Sequence, residues 1–205
     1  MRVRLSKTSK TPSRIAKRRN TYLYIISMRI VSGKLKGRML NPPKNLKARP
    51  TTDFAKENLF NILTNRVELE GIDVLDLFSG TGSISYEFAS RGAANVTSVE
   101  INRVHYAFIK RTAAELGCGD VIHAVNANVF LYLKSCSKQY DIIFSDAPYD
   151  LPGSEQVIDL VLEGDLLNED GLLIFEHSKD KSFDSHPNFC EKRSYGSVQF
   201  TFFSK

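Results

Sequence analysis

Acidic residues are absent from the first quarter of this 205-residue chain. Residues 1–49 carry 15 Lys and Arg and no Asp or Glu. The remainder holds 13 basic residues against all 23 acidic ones, a balance of −10. The basic pI of about 9.1 therefore belongs to the N-terminal quarter alone. A basic arm on an acidic body suits a polyanionic partner, most simply nucleic acid. A solvated tail that only aids solubility is the plainer alternative. Cysteine is scarce. Cys118, Cys136 and Cys190 are odd in number and widely spaced, which excludes a disulfide scaffold and fits reduced thiols in a cytoplasmic protein. The four histidines lack metal-ligand spacing, so no metal is expected. No apolar run approaches eighteen residues, so no membrane span is expected. Tyr22 to Ile26 is too short for a signal-peptide core. The length suits one large α/β domain with an appendage, and nothing in the sequence demands more than a monomer.

What is present centres on Val74-Leu75-Asp76-Leu77-Phe78-Ser79-Gly80-Thr81-Gly82. Val74 to Phe78 reads as a strand covered on both faces. Gly80 and Gly82 allow close approach of backbone and ligand. Ser83 to Arg91 reads as a helix whose N-terminal N–H groups face that ligand. A dinucleotide site would want a third glycine at position 85, and that residue is Ser85. Asp76 would also repel a pyrophosphate, whereas it suits an ammonium group. S-adenosyl-L-methionine (AdoMet) carries an ammonium and a sulfonium and no phosphate, so the motif favours AdoMet. Asn95 to Glu100 reads as the next strand. Glu100 lies where an acid can take both ribose hydroxyls.

Residues 1–27 are Ser/Thr/Arg/Lys-rich and are expected to be disordered, a transit-like segment, or an extension ahead of a start at Met28. Residues 28–65 read as a basic hairpin, with strands at 28–31 and 37–40, followed by a helix from Thr52 or Asp53 to Thr64. From residue 66 to 205 strands and helices alternate, which predicts a parallel sheet. Strands are expected at 121–125, 140–145 and 172–176. Helices are expected at 103–116, 129–134 and 154–162. Residues 188–194 and 197–203 should close the sheet as an antiparallel hairpin.

Strand 140–145 delivers Asp146-Ala147-Pro148-Tyr149. In a doubly wound sheet this turn faces the ligand held by Gly80 and Gly82. An acid, a proline and an aromatic suit methyl transfer to an exocyclic amine. A carboxylate and a fixed backbone carbonyl each accept one N–H, which turns the nitrogen lone pair toward the methyl donor. Proline fixes the turn, and Tyr149 offers a face on which a flipped base can stack. Asn126 and Asn128 follow the third strand. An amide there can read the adenine edge of AdoMet or cap the next helix.

These residues resemble the bacterial 16S rRNA guanine-N2 methyltransferases of the RsmD type. The resemblance runs from Met28 to the C-terminus. It rests on Met28 to Gly33, Gly37-Arg38, Arg49-Pro50-Thr51-Thr52-Asp53, Lys56-Glu57, Leu59-Phe60, Asp76 to Gly82 and Asp146 to Tyr149. It implies a class I AdoMet-dependent, Rossmann-like fold with a seven-stranded sheet. It also implies methylation of a guanine N2 in 16S rRNA or the small ribosomal subunit. Asp146, Pro148 and Tyr149 would be catalytic, with Asp76, Phe78, Gly80, Gly82, Glu100 and Asn128 around the cofactor. Arg38, Arg49, Thr51 and Asp53 would meet the RNA. Ala147 departs from the family's usual D-P-P-Y/F, which predicts a less rigid turn. A DNA adenine amino-methyltransferase and a non-catalytic RNA-binding assembly factor are the competing readings.

Overall fold

The computed structural model describes residues 28–42 and 53–205. The segment 1–27 and the expected RNA contacts Arg49 and Thr51 lie outside the described residues. One sheet of seven strands organises the rest. Its strands are β3 (Asp73–Leu77), β4 (Asn95–Val99), β5 (Ile122–Val125), β6 (Tyr140–Ser145), β7 (Leu167–Ser178), β8 (Phe189–Tyr195) and β9 (Val198–Phe203). Their order is β5-β4-β3-β6-β7-β9-β8. The five from β5 to β7 run parallel, and β9 and β8 are antiparallel. The chain therefore winds outward from β3 through β4 to β5, then returns to β6 on the other side. That reversal puts a crevice at the carboxyl ends of β3 and β6.

Helices α1 (Asp53–Thr64), α2 (Ser83–Ser90) and α3 (Arg103–Leu116) cover one face. Helices α4 (Val129–Ser135) and α5 (Gln156–Glu163) cover the other. The two-sided cover explains why the central strands are apolar almost throughout. Alternate residues feed alternate layers: Val74, Ile142, Phe144 and Ile174 one, Leu75, Leu77, Ile143 and Leu173 the other.

The hairpin β1 (Met28–Arg29) and β2 (Met39–Leu40) is shorter than expected and is seated on α2. The Val31 N–H donates to Glu87 Oε1 at 2.7 Å, and the Lys34 N–H donates to the Ser90 carbonyl at 2.7 Å. Gly33 has φ +79°, and a Cβ there would fall 2.0 Å from that carbonyl. Lys56 of α1 is fully buried, 3.5 Å from the equally buried Glu87, and its Nζ also donates to the Arg29 carbonyl at 2.5 Å. Met28, Ile30, Leu59, Phe60 and Leu63 share one hydrophobic cluster with Val74 and Ile84 of the sheet and α2. Each fully buried Leu or Phe of this kind stabilises by about 1.5–3 kcal/mol.

Further element bounds also shift from the sequence expectation. Strand β3 ends at Leu77, because Phe78 turns into the left-handed region at φ 56°. Strand β7 begins at Leu167 rather than at residue 172, since a register break between Tyr140 and Ile142 lets Leu167 pair ahead of a turn at Asp170 and Gly171. Helix α5 starts two residues later than expected, after the turn at Gly153. No described helix is long and apolar enough to cross a membrane.

Candidate active site

The crevice is a cavity of about 530 Å³. One wall comes from the β3–α2 turn: Asp76, Phe78, Ser79, Gly80, Thr81 and Ser83. A second comes from the end of β4, with Glu100, Ile101 and Asn102. The third is Asp146, Ala147, Pro148 and Tyr149 after β6, with Glu176 of β7. Asp76, Phe78, Gly80, Glu100, Asp146, Pro148 and Tyr149, all expected in the site from the sequence, line this one space.

Local geometry fixes each group. Gly80 and Gly82 have φ of 55° and 81°. A Cβ on Gly82 would meet the Tyr86 ring at 3.0 Å and Ile109 at 3.1 Å. A Cβ on Gly80 would meet no protein atom nearer than 3.9 Å, so the room beside it belongs to the cavity. Gly82 supports the turn; Gly80 faces the ligand space. The Ser83 hydroxyl, at the first position of α2, is buried on the wall without a protein hydrogen-bond partner.

Asp76 is fully buried. It accepts from Ser85 Oγ at 2.5 Å, and that hydroxyl lies 2.6 Å from Ser98 Oγ. Position 85, which would be glycine in a dinucleotide fingerprint, thus holds the site's acid in place. Burial pushes the Asp76 carboxyl up to about 7, opposed by the Ser85 hydrogen bond and reinforced by the negative charges of Asp146 and Glu100. Glu100 is turned inward by two backbone amides, Gly80 N–H at 2.8 Å and Asn102 N–H at 2.7 Å. A carboxylate retains lone pairs beyond those two. Four acids, Asp76, Glu100, Asp146 and Glu176, line this one space. Such a space favours a cationic ligand and disfavours a phosphate. The donor set, the room at Gly80 and the lone Ser83 hydroxyl fit AdoMet, with its ammonium, sulfonium and ribose hydroxyls.

On the opposite wall the Asp146 N–H reaches back to the Leu77 carbonyl at 3.5 Å. Tyr149 is 44% exposed, and its hydroxyl donates to Glu176 Oε1 at 3.2 Å. Its ring is therefore open to solvent while its tip is anchored. Glu176 was visible in the sequence only as the last residue of an expected strand. Its place beside Asp146 follows from the sheet order β6-β7, which no local signal carries.

Other expected residues lie elsewhere. Asn128 is not on the cavity wall. Its side-chain oxygen accepts from the Phe130 and Leu131 amides, so it caps α4. Asn126 donates to the Glu100 and Ile101 carbonyls and braces the β4 loop. Arg38 lines a separate groove of about 450 Å³ together with Phe108 and Arg111. Asp53 sits beside Arg29 at 3.2 Å and Lys56 at 3.4 Å, at the start of a helix whose Ala55 reaches the cavity.

The sheet order, the switch-point cavity and its acidic lining define a class I AdoMet-dependent methyltransferase. The chain belongs to the family described as Conserved hypothetical protein 95, whose model matches residues 28–204. It is 34% identical over 152 residues to the ribosomal RNA small subunit methyltransferase D of Buchnera aphidicola subsp. Baizongia pistaciae, covering 74% of this chain and 76% of that protein. The enzyme of the same name from Haemophilus influenzae is 30% identical over 178 residues, covering 84% and 91%. Among solved structures, the proposed methyltransferase yhhF of Escherichia coli superposes with a TM-score of 0.76 at 28% identity, covering 86% of this chain and 97% of that one.

Proposed function

We propose that this protein transfers the methyl group of AdoMet to the exocyclic N2 amine of a guanine in small-subunit rRNA. The observation that carries this reading is a single cavity with a cation-seeking wall at Asp76 and Glu100 and an amine-orienting turn at Asp146 to Tyr149. The names of the relatives support rRNA of the small subunit as the substrate class.

AdoMet supplies an electrophilic methyl on its sulfonium. Asp76 faces its ammonium, Glu100 its ribose hydroxyls, and Gly80 leaves room for its chain. Ile101, 62% exposed on the cavity wall, offers an apolar face to the adenine ring. Asp146 accepts one N–H of the target amine, and the carbonyl of Ala147 accepts the other. Both acceptors draw the nitrogen out of conjugation and aim its lone pair at the methyl. The carbonyl exists with alanine as with proline, and the buried Ala147 side chain holds the turn by packing instead of by a ring. The amine proton becomes acidic only once the nitrogen carries the methyl, so no strong base is required. Positioning and the electrostatics of the acceptors supply most of the acceleration. Tyr149 stacks the base, and Pro148 stiffens its approach. Residues 28–65, with Arg38, Arg49, Thr51 and Asp53, form the RNA-contacting part.

The test is incubation with radiolabelled AdoMet and small ribosomal subunits from cells lacking the gene, with plasmid DNA in parallel. Label in the rRNA is expected. Label in DNA adenine would instead make the protein a DNA amino-methyltransferase. No label despite AdoMet binding would favour an assembly factor.

A further inference from the structure

Amine-bearing bases differ in what stands beside the amine. In guanine the N2 amine is flanked by an N1–H donor on one side and by N3 on the other. In adenine and cytosine the amine is flanked by an unprotonated ring nitrogen, an acceptor. A site that grips only the amine cannot tell them apart. An acceptor placed next to the amine-holding group can.

Glu176 is such an acceptor. Ser145 and Phe175 are registered partners on the parallel strands β6 and β7. Glu176 is the next residue of β7, and Asp146 is the first residue past the end of β6. Adjacent strands lie about 4.8 Å apart, and registered residues of parallel strands point to the same side. Phe144 and Ile174 share one hydrophobic cluster, and strand alternation turns Glu176 to the side of Ile174. Asp146 and Glu176 both line the cavity. Glu176 is 5% exposed, and its Oε1 accepts the Tyr149 hydroxyl at 3.2 Å. The carboxylate is thereby held at the edge of the ring on which the base stacks.

The geometry points to Glu176 as the residue that selects guanine, its carboxylate accepting the N1–H while Asp146 accepts from N2. This inference rests on the methyl transfer to guanine N2 argued above. The ring nitrogen of an adenine or cytosine presented in the same pose would set a lone pair against the Glu176 carboxylate. That arrangement is repulsive.

2-Aminopurine probes this contact, because it keeps the N2 amine but has an unprotonated N1; it also lacks O6, a difference common to both enzymes. Once the labelled guanine is mapped with the wild-type enzyme, ligated rRNA carrying either base at that position is assembled into subunits. The ratio of kcat/KM for guanine over 2-aminopurine is then compared between enzymes. Intrinsic reactivity of the two amines cancels in that comparison. Glu176→Gln can turn an amide N–H toward N1 of 2-aminopurine, so the ratio should fall by about tenfold or more. Tyr149→Phe loses the hydroxyl that anchors Glu176 but keeps the ring and the carboxylate, and should narrow the ratio by clearly less than Glu176→Gln does. An unchanged ratio in Glu176→Gln, with both rates lowered equally, would reduce Glu176 to a support for Tyr149 and overturn the inference. Equal narrowing in Tyr149→Phe would assign the selection to ring placement and overturn it too. If wild-type enzyme leaves guanine unmethylated, the functional reading fails first and this inference with it. If guanine is methylated and the ratio is unmoved, only the role of Glu176 fails.

Discussion

Burial pushes the carboxyl of Asp76 up to about 7, well above its ordinary value of 3.8. An acid with a raised folded pKa stabilises the fold below its unfolded pKa and loses that contribution as pH rises through the folded one. The ligand-free protein should therefore lose stability between about pH 4 and pH 7 from this group. A ligand ammonium prefers the charged carboxylate and reverses the balance. Calorimetry of S-adenosylhomocysteine binding in buffers of different ionisation enthalpy should show proton release near pH 6 that fades by pH 8. Affinity should be about tenfold weaker at the lower pH. Absence of proton release at pH 6 would remove Asp76 from the ammonium site. Asp76→Asn keeps an acceptor for Ser85 but no charge. It should raise the melting temperature of the ligand-free protein at pH 8 while weakening S-adenosylhomocysteine at least about tenfold. Most such residues were legible in the sequence because their signals are local. Asp76, Gly80 and Glu100 sit in short strand-turn contexts, and Asp146 to Tyr149 is a contiguous turn. Asn128 was not decidable, because an asparagine that reads an adenine edge and one that caps a helix look alike before the backbone is traced. Glu176 was missed because a lone acid ending an apolar strand acquires meaning only from its neighbour strand.

At the scale of elements, two glycines of one turn divide the labour, and substitution separates them. Gly82→Ala forces a side chain at φ 81° against Tyr86 and Ile109, so it should cost about 1–3 kcal/mol of stability in urea unfolding. Gly80→Ala meets strain at φ 55° but no protein wall. Its loss in S-adenosylhomocysteine affinity should exceed its loss in stability, and the opposite order would mean that the cavity does not hold the ligand against Gly80. The hairpin and α1 depend on the buried Lys56–Glu87 pair. Lys56→Met strands Glu87 in the interior with Arg91 at 3.5 Å as its remaining cation. This should cost about 3–5 kcal/mol, and hydrogen exchange at the Val31 amide should accelerate with it. Element types were legible from periodicity and turn residues. The extra length of β7 was not, since Asp170 and Gly171 read as a strand boundary and became a turn within a continuing ladder.

For the whole molecule the charge division is the dominant feature. The acid-lined cavity repels phosphate, while the basic residues are concentrated in residues 1–49. Phosphate contacts made by that segment should release counterions and make RNA binding steeply salt-dependent. Removing residues 1–27 should lower RNA affinity and flatten its dependence on salt, leaving S-adenosylhomocysteine affinity unchanged. An unchanged salt slope would make that segment a bystander. The seven-stranded order was implied by family resemblance and alternation, whereas the seating of the hairpin on α2 had no sequence signal, because it runs through backbone groups of Val31 and Lys34. Where the methyl group lands distinguishes this chemistry from its rivals. Digestion of wild-type-treated small-subunit rRNA to nucleosides, followed by mass spectrometry against authentic standards, reads that directly. The geometry of Asp146 and Ala147 predicts methyl on an exocyclic amine, which the proposed rRNA substrate makes N2-methylguanosine, with the product falling at least about a hundredfold in Asp146→Ala. Methyl at a ring nitrogen such as N7 or N1, or product undiminished in Asp146→Ala, would contradict it.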